Sequence, residues 1–521
     1  MKRENNLDRL TAETEPWDFI VIGGGATGLG TAVDAAARGY RTLLVERRDF
    51  ALGTSSRSTK LVHGGVRYLR QGNVSLVLES LRERGRLEAN APHLVHRLGF
   101  VIPAYSRTDR PFYGTGMKLY DRLAGPLSLG RSRFLSRRET IDRLPTVNQD
   151  RLRGGVLYFD AQFDDARLAI NLARTAHDHG AAVINDCEAV GLERRADRLS
   201  VVQLRDRESG AELEVRGRCV INAAGVFADA VRRLDDRDAP PNLVFSQGSH
   251  LVLPKEFHPG DNALMVPKTA DGRVLFGVPW HDRVIVGTTD VAVKEVTDEP
   301  APRDEELEFL REHAGRYLQR TPRPGEILSA YSGLRPLVSP GSDGARTASI
   351  SRDHTISVSA SGLVTIMGGK WTTYRRMAAD VVDRAETAAG FQHRACSTVH
   401  LPIHGAESDS QSREPLGVYG SDAAAIESLA VEDPGLAKPL HPDLPCIKAE
   451  LVWAARHEMA RTLEDVLARR TRSLVLNARA AIEAAPEAAR LLAGELNRNA
   501  AWREEQQRAF EKLAGRYLVP E

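Results

Sequence analysis

Three glycines, Gly23, Gly25 and Gly28, follow the apolar run Phe19–Ile22 in a stretch rich in small residues. Their G-x-G-x-x-G spacing suits a diphosphate. Gly23 permits a tight turn, Gly25 lets a pyrophosphate approach the backbone, and Gly28 lets the next helix lie close to the sheet. That helix is predicted from about Ala26 to Arg38, with Gly39 ending it. Its first N–H groups and partial positive charge then face the phosphates. A second strand, Thr42–Val45, ends in Glu46, 18 residues after Gly28. A carboxylate there accepts hydrogen bonds from an adenosine ribose and repels a 2′-phosphate. The unit predicts a dinucleotide site that disfavours NADP and leaves NAD and FAD open.

Other stretches carry chemistry farther along. Gly53–Leu69 is dense in hydroxyls, glycine and cations. Thr54, Ser55, Ser56, Lys60, His63, Gly64 and Gly65 are expected to contact the cofactor's phosphate or ring system. The apolar strand at Cys219 closes on Ala224 and Gly225, small enough for a nucleotide to lie against the strand end. Gly368, Gly369, Lys370 and Thr372 form a second glycine turn before a helix predicted from Tyr374 to Ala389. Two distant helix N-termini can hold two parts of one elongated cofactor.

Elements for a large molecule must position these groups. With 521 residues, two or three domains are expected. The chain is 42% hydrophobic and 27% charged, with a net charge of +1, which gives no general attraction to nucleic acid. The four cysteines, Cys187, Cys219, Cys396 and Cys446, form no C-x-x-C pair, which argues against a zinc site, a dithiol redox centre or a disulfide framework and fits a reducing cytoplasm; no metal is expected. No apolar run approaches the roughly 18–20 residues that span a bilayer, and the N-terminus lacks a signal core. Any membrane contact is therefore expected to be peripheral, on the cytoplasmic face.

Residues 1–16 read as a polar tail and 17–391 as an α/β unit with a discontinuous nucleotide-binding part. A substrate cap is expected mainly from 76–150 and 241–345, with antiparallel strands at Ser249–Leu253, Val274–Val278 and Val284–Gly287. Residues 392–521 read as a helical domain, with helices over Lys448–Arg472, Ser473–Ala484 and Glu487–Tyr517. His457 and Glu458, with Arg456, Arg461, Arg469, Arg470 and Arg472, read as an ion-pair face of the first helix. Docking onto the nucleotide domain is the alternative.

The chain resembles the FAD-dependent glycerol-3-phosphate dehydrogenases, within the D-amino-acid-oxidase-like flavoproteins. The resemblance rests on IGGGATGLG at 22–30, TSSRSTKLVHGGVRYL at 54–69, YFDAQFDDARL at 158–168 and INAAGVFAD at 221–229. It continues through SQGSHLVLP at 246–254, VGTTD at 286–290, YSGLRPL at 331–337, GGKWTTYRRMA at 368–378 and RHEMARTLEDVLARRTR at 456–472. It implies a Rossmann-like FAD-binding domain, an antiparallel-sheet substrate cap and a C-terminal helical domain. It also implies oxidation of glycerol 3-phosphate to dihydroxyacetone phosphate, a quinone acceptor at a membrane surface, and a homodimer. The calcium-binding loops of mitochondrial relatives have no D-x-[DN]-x-[DN]-G counterpart here, so calcium control is not expected.

Such a reaction removes a hydride to the flavin and a hydroxyl proton to a base, while the site binds a phosphate dianion. By family match Arg335, Lys370 and Arg67, with Tyr68, are expected at the substrate, and Arg335 has the planar fork that suits phosphate oxygens. The bases expected are His250, nearer the substrate, and His63, nearer the flavin. The N–H groups after Gly368 and Gly369, with Lys370 and Thr372, are expected to face the flavin ring, where reduction adds negative charge. An oxygen-reducing oxidase, a related amine or hydroxy-acid flavoenzyme and a non-catalytic FAD-holding protein remain as alternatives.

Overall fold

A computed structural model describes residues 1–65, 73–195, 198–267, 269, 274–339, 353–407 and 415–520. Its organising element is a sheet with strand order His354–Val358, Val364–Gly368, Glu212–Asn222, Trp17–Ile22, Thr42–Val45, Ala182–Ile184. All neighbours pair in parallel except the His354–Val358 and Val364–Gly368 hairpin. Phe19–Ile22 and Thr42–Val45 are buried throughout, as parallel strands covered on both faces must be. The apolar strand at Cys219 is the second half of a longer strand, Glu212–Asn222. Its first half pairs with the antiparallel Arg198–Asp206 and its second half with Trp17–Ile22.

The Ala26–Ala37 helix lies close to this sheet because its packed side is made of small residues. A Cβ on Gly28 would stand 1.8 Å from the Gly23 carbonyl oxygen. One on Gly30 would stand 2.7 Å from the Tyr374 ring, so the Ala26 helix and the Tyr374–Ala389 helix pack directly together. Among the described residues the second sheet has ten strands, with Leu243–Pro254 paired to both Ser329–Val338 and Arg283–Gly287.

Two expectations are corrected. Residues 1–16, read as a polar tail, contain a docked helix, Arg3–Ala12. Arg3, Asn6 and Leu10 recur at helical spacing and turn inward. Arg3 is stripped of water by an ion pair to Asp206 and a 3.1 Å bond to the Asn185 carbonyl, and Leu10 joins the cluster around Trp17 and Ile184. The expected Lys448–Arg472 helix is broken. It stops at His457, Met459 takes φ +55°, and a π-helical turn, Asp465–Arg470, follows. Asp465 causes the restart, since Oδ2 accepts the N–H groups of Arg461 and Thr462 at 2.8 and 2.9 Å. Conversely, Ala478–Glu495 runs through Pro486 without a break. Its buried alanine face, including Ala481, Ala485, Ala488 and Ala489, holds a helix that lacks only one N–H. Among the described residues no helix is long and apolar enough to cross a membrane.

One buried histidine between these units predicts acid sensitivity. His93 Nε2 accepts a 2.9 Å bond from Asn171 Nδ2, and its Nδ1 has no partner. Burial, and then the Arg167 guanidinium, hold its pKa down to about 3. The unfolded chain takes up a proton near pH 6.5 while the folded chain does not, so this contribution is full above that pH. It fades as pH falls towards about 3, by up to about 1.4 kcal/mol per pH unit. Melting temperature measured between pH 7 and 4 is expected to fall less steeply in His93→Gln than in the parent chain.

Candidate functional site

Four strands of the parallel sheet deliver their C-terminal ends to one edge, in register: Ile22 pairs with Val45 and Asn222, and Asn222 with Thr365. The first glycine turn, Glu46, Ala224–Gly225 and Gly368–Gly369 therefore emerge side by side, where open α/β sheets bind ligands. Gly23 sits at φ +118° and a Cβ there would stand 2.6 Å from the Ala223 oxygen. Gly368 and Gly369 sit at φ +78° and +84°, with Asp353 and Met377 where Cβ atoms would go. Asn222 fixes the third turn through Oδ1, which accepts the Ala224 N–H at 3.2 Å.

Gly25 caps the Ala26 helix, and a Cβ there would meet only Ser55 Oγ, 3.1 Å away. Ser55 Oγ accepts the Ala26 N–H at 2.9 Å, whereas the Thr27 and Gly28 N–H groups in the first turn have no intrahelical acceptor. An open cradle with outward donors at a helix N-terminus fits a diphosphate. A Gly25→Val chain, whose side chain fills the cradle, is expected to fold and purify colourless. Unchanged flavin content, read from the visible spectrum, would contradict this. Glu46 accepts from Gly24 N at 2.6 Å and Arg48 N at 2.9 Å. Burial raises its pKa against those two bonds. Each oxygen retains a lone pair for a ribose hydroxyl.

Thr54–Ser56 is a single 3₁₀ turn that joins the distant glycine turns. Trp371 Nε1 donates to the Ser55 carbonyl at 2.8 Å, and Thr54 Oγ1 donates to Leu334 O at 2.5 Å. Thr372 Oγ1 lies 3.3 Å from His63 N, which puts His63 beside the second glycine turn and Lys370 at the start of that turn. Gly64 N donates to Asp160 at 3.3 Å, and Gly65 takes φ +79°. Lys60 differs from expectation. Its ammonium is buried and bonded to Asp165 Oδ1 and the Ser56 carbonyl, both at 2.7 Å, so it anchors the turn from behind and does not point at a ligand. Arg67 and Tyr68 lie outside the described residues.

The second sheet contributes one glycine-lined face. Ser246, Gly248 and His250 pair with Arg335, Gly333 and Tyr331, so all six share that face. Gly287 stands opposite His250 on the other side. The glycines make room: Cβ atoms would lie 2.1 Å from Arg335 at Gly248, 2.1 Å from His250 at Gly287 and 3.0 Å from Arg57 at Gly333. Arg335 thus folds back over Gly248, with its guanidinium about 7 Å, one pleat, along the strand from His250. It donates to Thr288 Oγ1 at 3.0 Å and Thr289 O at 3.3 Å.

His250 is buried, stacked on the Tyr331 ring with centroids 4.7 Å apart, and its Nε2 lies 2.9 Å from Thr59 Oγ1. Its Nδ1 is buried without a partner. Burial, then the charges of Arg335 and Lys60, push its pKa well below the ordinary histidine value, so the imidazole is neutral.

Sequence reasoning missed Glu306, Thr289, Tyr331 and Arg57. Glu306 accepts from Gln247 at 2.7 Å, from Ser249 at 2.8 Å and from Thr289, which fixes the back of the Arg335 strand pair. The signal was available in Ser246–His250, where every residue is polar or glycine in a strand that must be buried on both faces. Such a strand needs a buried polar partner.

Comparison with known proteins gives the family. The family model described as "FAD dependent oxidoreductase" matches residues 18–375. The model described as "C-terminal domain of alpha-glycerophosphate oxidase" matches residues 364–507. A mitochondrial glycerol-3-phosphate dehydrogenase of Mesocricetus auratus is 40% identical over 98% of this chain and 74% of its own length. One from Arabidopsis thaliana is 39% identical over 95% of this chain and 85% of its own. The crystal structure of the glycerol-3-phosphate dehydrogenase of Bacillus halodurans, complexed with FAD, superposes with a TM-score of 0.82 at 26% identity, covering 99% of this chain and 98% of its own. The chain belongs to the FAD-dependent glycerol-3-phosphate dehydrogenase family.

Proposed function

We propose that this enzyme oxidises sn-glycerol 3-phosphate to dihydroxyacetone phosphate and passes the electrons to a quinone at the cytoplasmic face of a membrane. The observation that carries the reading is the pairing of a neutral, buried His250, with an unpartnered ring nitrogen, and Arg335 on one glycine-lined sheet face beside the cofactor turns. FAD supplies the two-electron acceptor for the hydride that leaves C2. Gly25 with the Thr27 and Gly28 N–H groups would hold its diphosphate, Glu46 its ribose, and Ser55, His63, Ala224, Gly225 and the Gly368–Thr372 turn the remainder.

Arg335 binds the substrate phosphate, and Lys370 adds a second cation from the glycine turn. With Nε2–H donated to Thr59, the lone pair on His250 Nδ1 accepts the C2 hydroxyl proton. Arg335 is one of the charges that lower the proton affinity of His250, and a bound phosphate dianion offsets it. The base is therefore strengthened when substrate arrives.

A second observation favours a quinone over oxygen. Phe112, Leu119, Leu127 and Phe134 are exposed by 63, 48, 37 and 39%. Residues 107–138, which carry them, hold eight lysines and arginines against two aspartates, in a chain of net charge +1. Phe112 and Leu119, seven residues apart on the Asp109–Ala124 helix, share one of its faces, and an exposed apolar pair in a cation-rich segment suits the headgroup region of an anionic bilayer. The test is anaerobic turnover with a soluble dye, offering glycerol 3-phosphate, glycerol, glycine and lactate separately, and aerobic turnover with a long-chain quinone in anionic vesicles. Turnover is expected with glycerol 3-phosphate alone and with quinol as product. Phe112→Asp with Leu119→Asp is expected to lower the vesicle rate at least about tenfold and spare the dye rate. One hydrogen peroxide per turnover in the presence of quinone would instead make it an oxidase.

A further inference from the structure

The C-terminal helical domain touches the nucleotide-binding unit through buried charges, as the alternative reading of the 456–472 motif holds. Asp49 stands three residues after Glu46 and is 2% exposed. Arg470 grips it bidentately at 2.5 and 2.8 Å, and Arg469 Nε adds a third bond at 2.5 Å. Burial would raise the Asp49 pKa, yet Arg470 and Arg469 hold it down to about 2. The π-helical turn delivers two consecutive arginines to one carboxylate.

A second grip closes the other end of the same segment. Arg57, one residue after Ser56, is 7% exposed and pairs bidentately with Glu299 at 2.7 and 2.6 Å. Glu299 is held in turn by Tyr517 Oη at 2.9 Å, and its carbonyl accepts from Arg516 at 3.0 Å. Arg57 also reaches the face that carries His250 and Arg335, since its carbonyl and Cβ lie where a Cβ on Gly333 would go.

We infer that the C-terminal domain is a cofactor clamp. Arg469 and Arg470 through Asp49, and Tyr517 through Glu299 and Arg57, fix the two ends of the Glu46–Arg57 segment, so FAD affinity depends on positioning residues that do not touch the cofactor. The inference rests on the assignment of Glu46 and Thr54–Ser56 to FAD. A strand end and a single 3₁₀ turn have few bonds of their own with which to hold four polar groups in place, and the two buried ion clusters supply that rigidity. Lys60, paired with Asp165, braces the same segment from the side by donating to the Ser56 carbonyl at 2.7 Å.

The test is FAD titration of the full-length apoprotein, followed by flavin fluorescence quenching, beside the melting temperature of the apoprotein. Tyr517→Phe removes one hydroxyl and keeps the ring, and Arg470→Lys keeps the charge and loses the fork. Each is expected to weaken FAD about tenfold. The apoprotein melting point is expected to stay close to the parent's in Tyr517→Phe, and the Michaelis constant of the FAD-saturated enzyme to change little. Gly25→Val serves as the control for the cofactor assignment itself. If it abolishes FAD binding while Tyr517→Phe and Arg470→Lys bind as the parent does, the clamp is wrong and the cofactor site stands. If Gly25→Val also binds normally, the cofactor assignment fails first. A lowered apoprotein melting point with unchanged FAD affinity would make these contacts structural only, and would overturn the inference.

Discussion

Arg335→Ala is expected to raise the Michaelis constant for glycerol 3-phosphate by about 10²–10³-fold, the loss of a forked, charge-assisted grip on a dianion of roughly 3–4 kcal/mol. Turnover at saturation should fall less, since the side chain folds back over Gly248 and does not displace the His250 ring. Arg335→Lys should fall between, because a lysine keeps charge but not the fork. The same change carries a second signature. Arg335 follows burial among the causes that depress the proton affinity of His250. Removing that positive charge favours the imidazolium, so the acid limb of kcat/KM should move to higher pH. Discrimination between glycerol 3-phosphate and glycerol should collapse with it. An unchanged Michaelis constant would remove Arg335 from the phosphate site.

His250→Gln is expected to lower kcat by about 10²–10⁴-fold with FAD content unchanged, the usual range for deleting a positioned general base. The acid limb of the pH profile should flatten, because the group that titrates there is gone. Gln fills much of the space facing Gly287 and keeps a polar partner for Thr59, which limits the structural cost. Normal turnover with an unaltered profile would exclude His250 as the base. His63, tied by its backbone to Thr372 at the second glycine turn, then becomes the base to test.

The cofactor edge was legible in the sequence because backbone geometry demands glycine there. Gly23 at φ +118°, and Gly368 and Gly369 at φ +78° and +84°, occupy conformations that other residues resist, so composition alone marked the turns. The cap site was less legible. His250 and Arg335 stand out as residue types, but the face they share exists only through the pairing of Gly248 with Gly333 and His250 with Gly287, and no local pattern encodes that register. Glu306 was missed for the same reason: it supports the site from a helix 57 residues beyond Ser249.

Long-range charge pairs were the least accessible. Asp49 and Arg470 are 421 positions apart, and nothing local marks Asp49 as more than a loop aspartate. The helix predicted over Lys448–Arg472 fails because periodicity cannot see Asp465 capping a new turn after Met459. The N-terminal helix was obscured by its polar composition, since an arginine and an asparagine provide most of its inward face. Lys60 was assigned to the cofactor on residue type, whereas Asp165, 105 positions away, holds its ammonium.

In the proposed enzyme two glycine turns, far apart in the chain and brought to one sheet edge on either side of the Glu212–Asn222 strand, seat FAD beside a site for a phosphorylated secondary alcohol. Mixing the yellow protein anaerobically with sn-glycerol 3-phosphate in a stopped-flow spectrometer tests this most directly. The oxidised flavin band is predicted to bleach within the first turnover, and to persist when glycerol or glycine replaces the substrate. A band left intact by glycerol 3-phosphate, in protein shown to carry its full complement of FAD, would contradict the account.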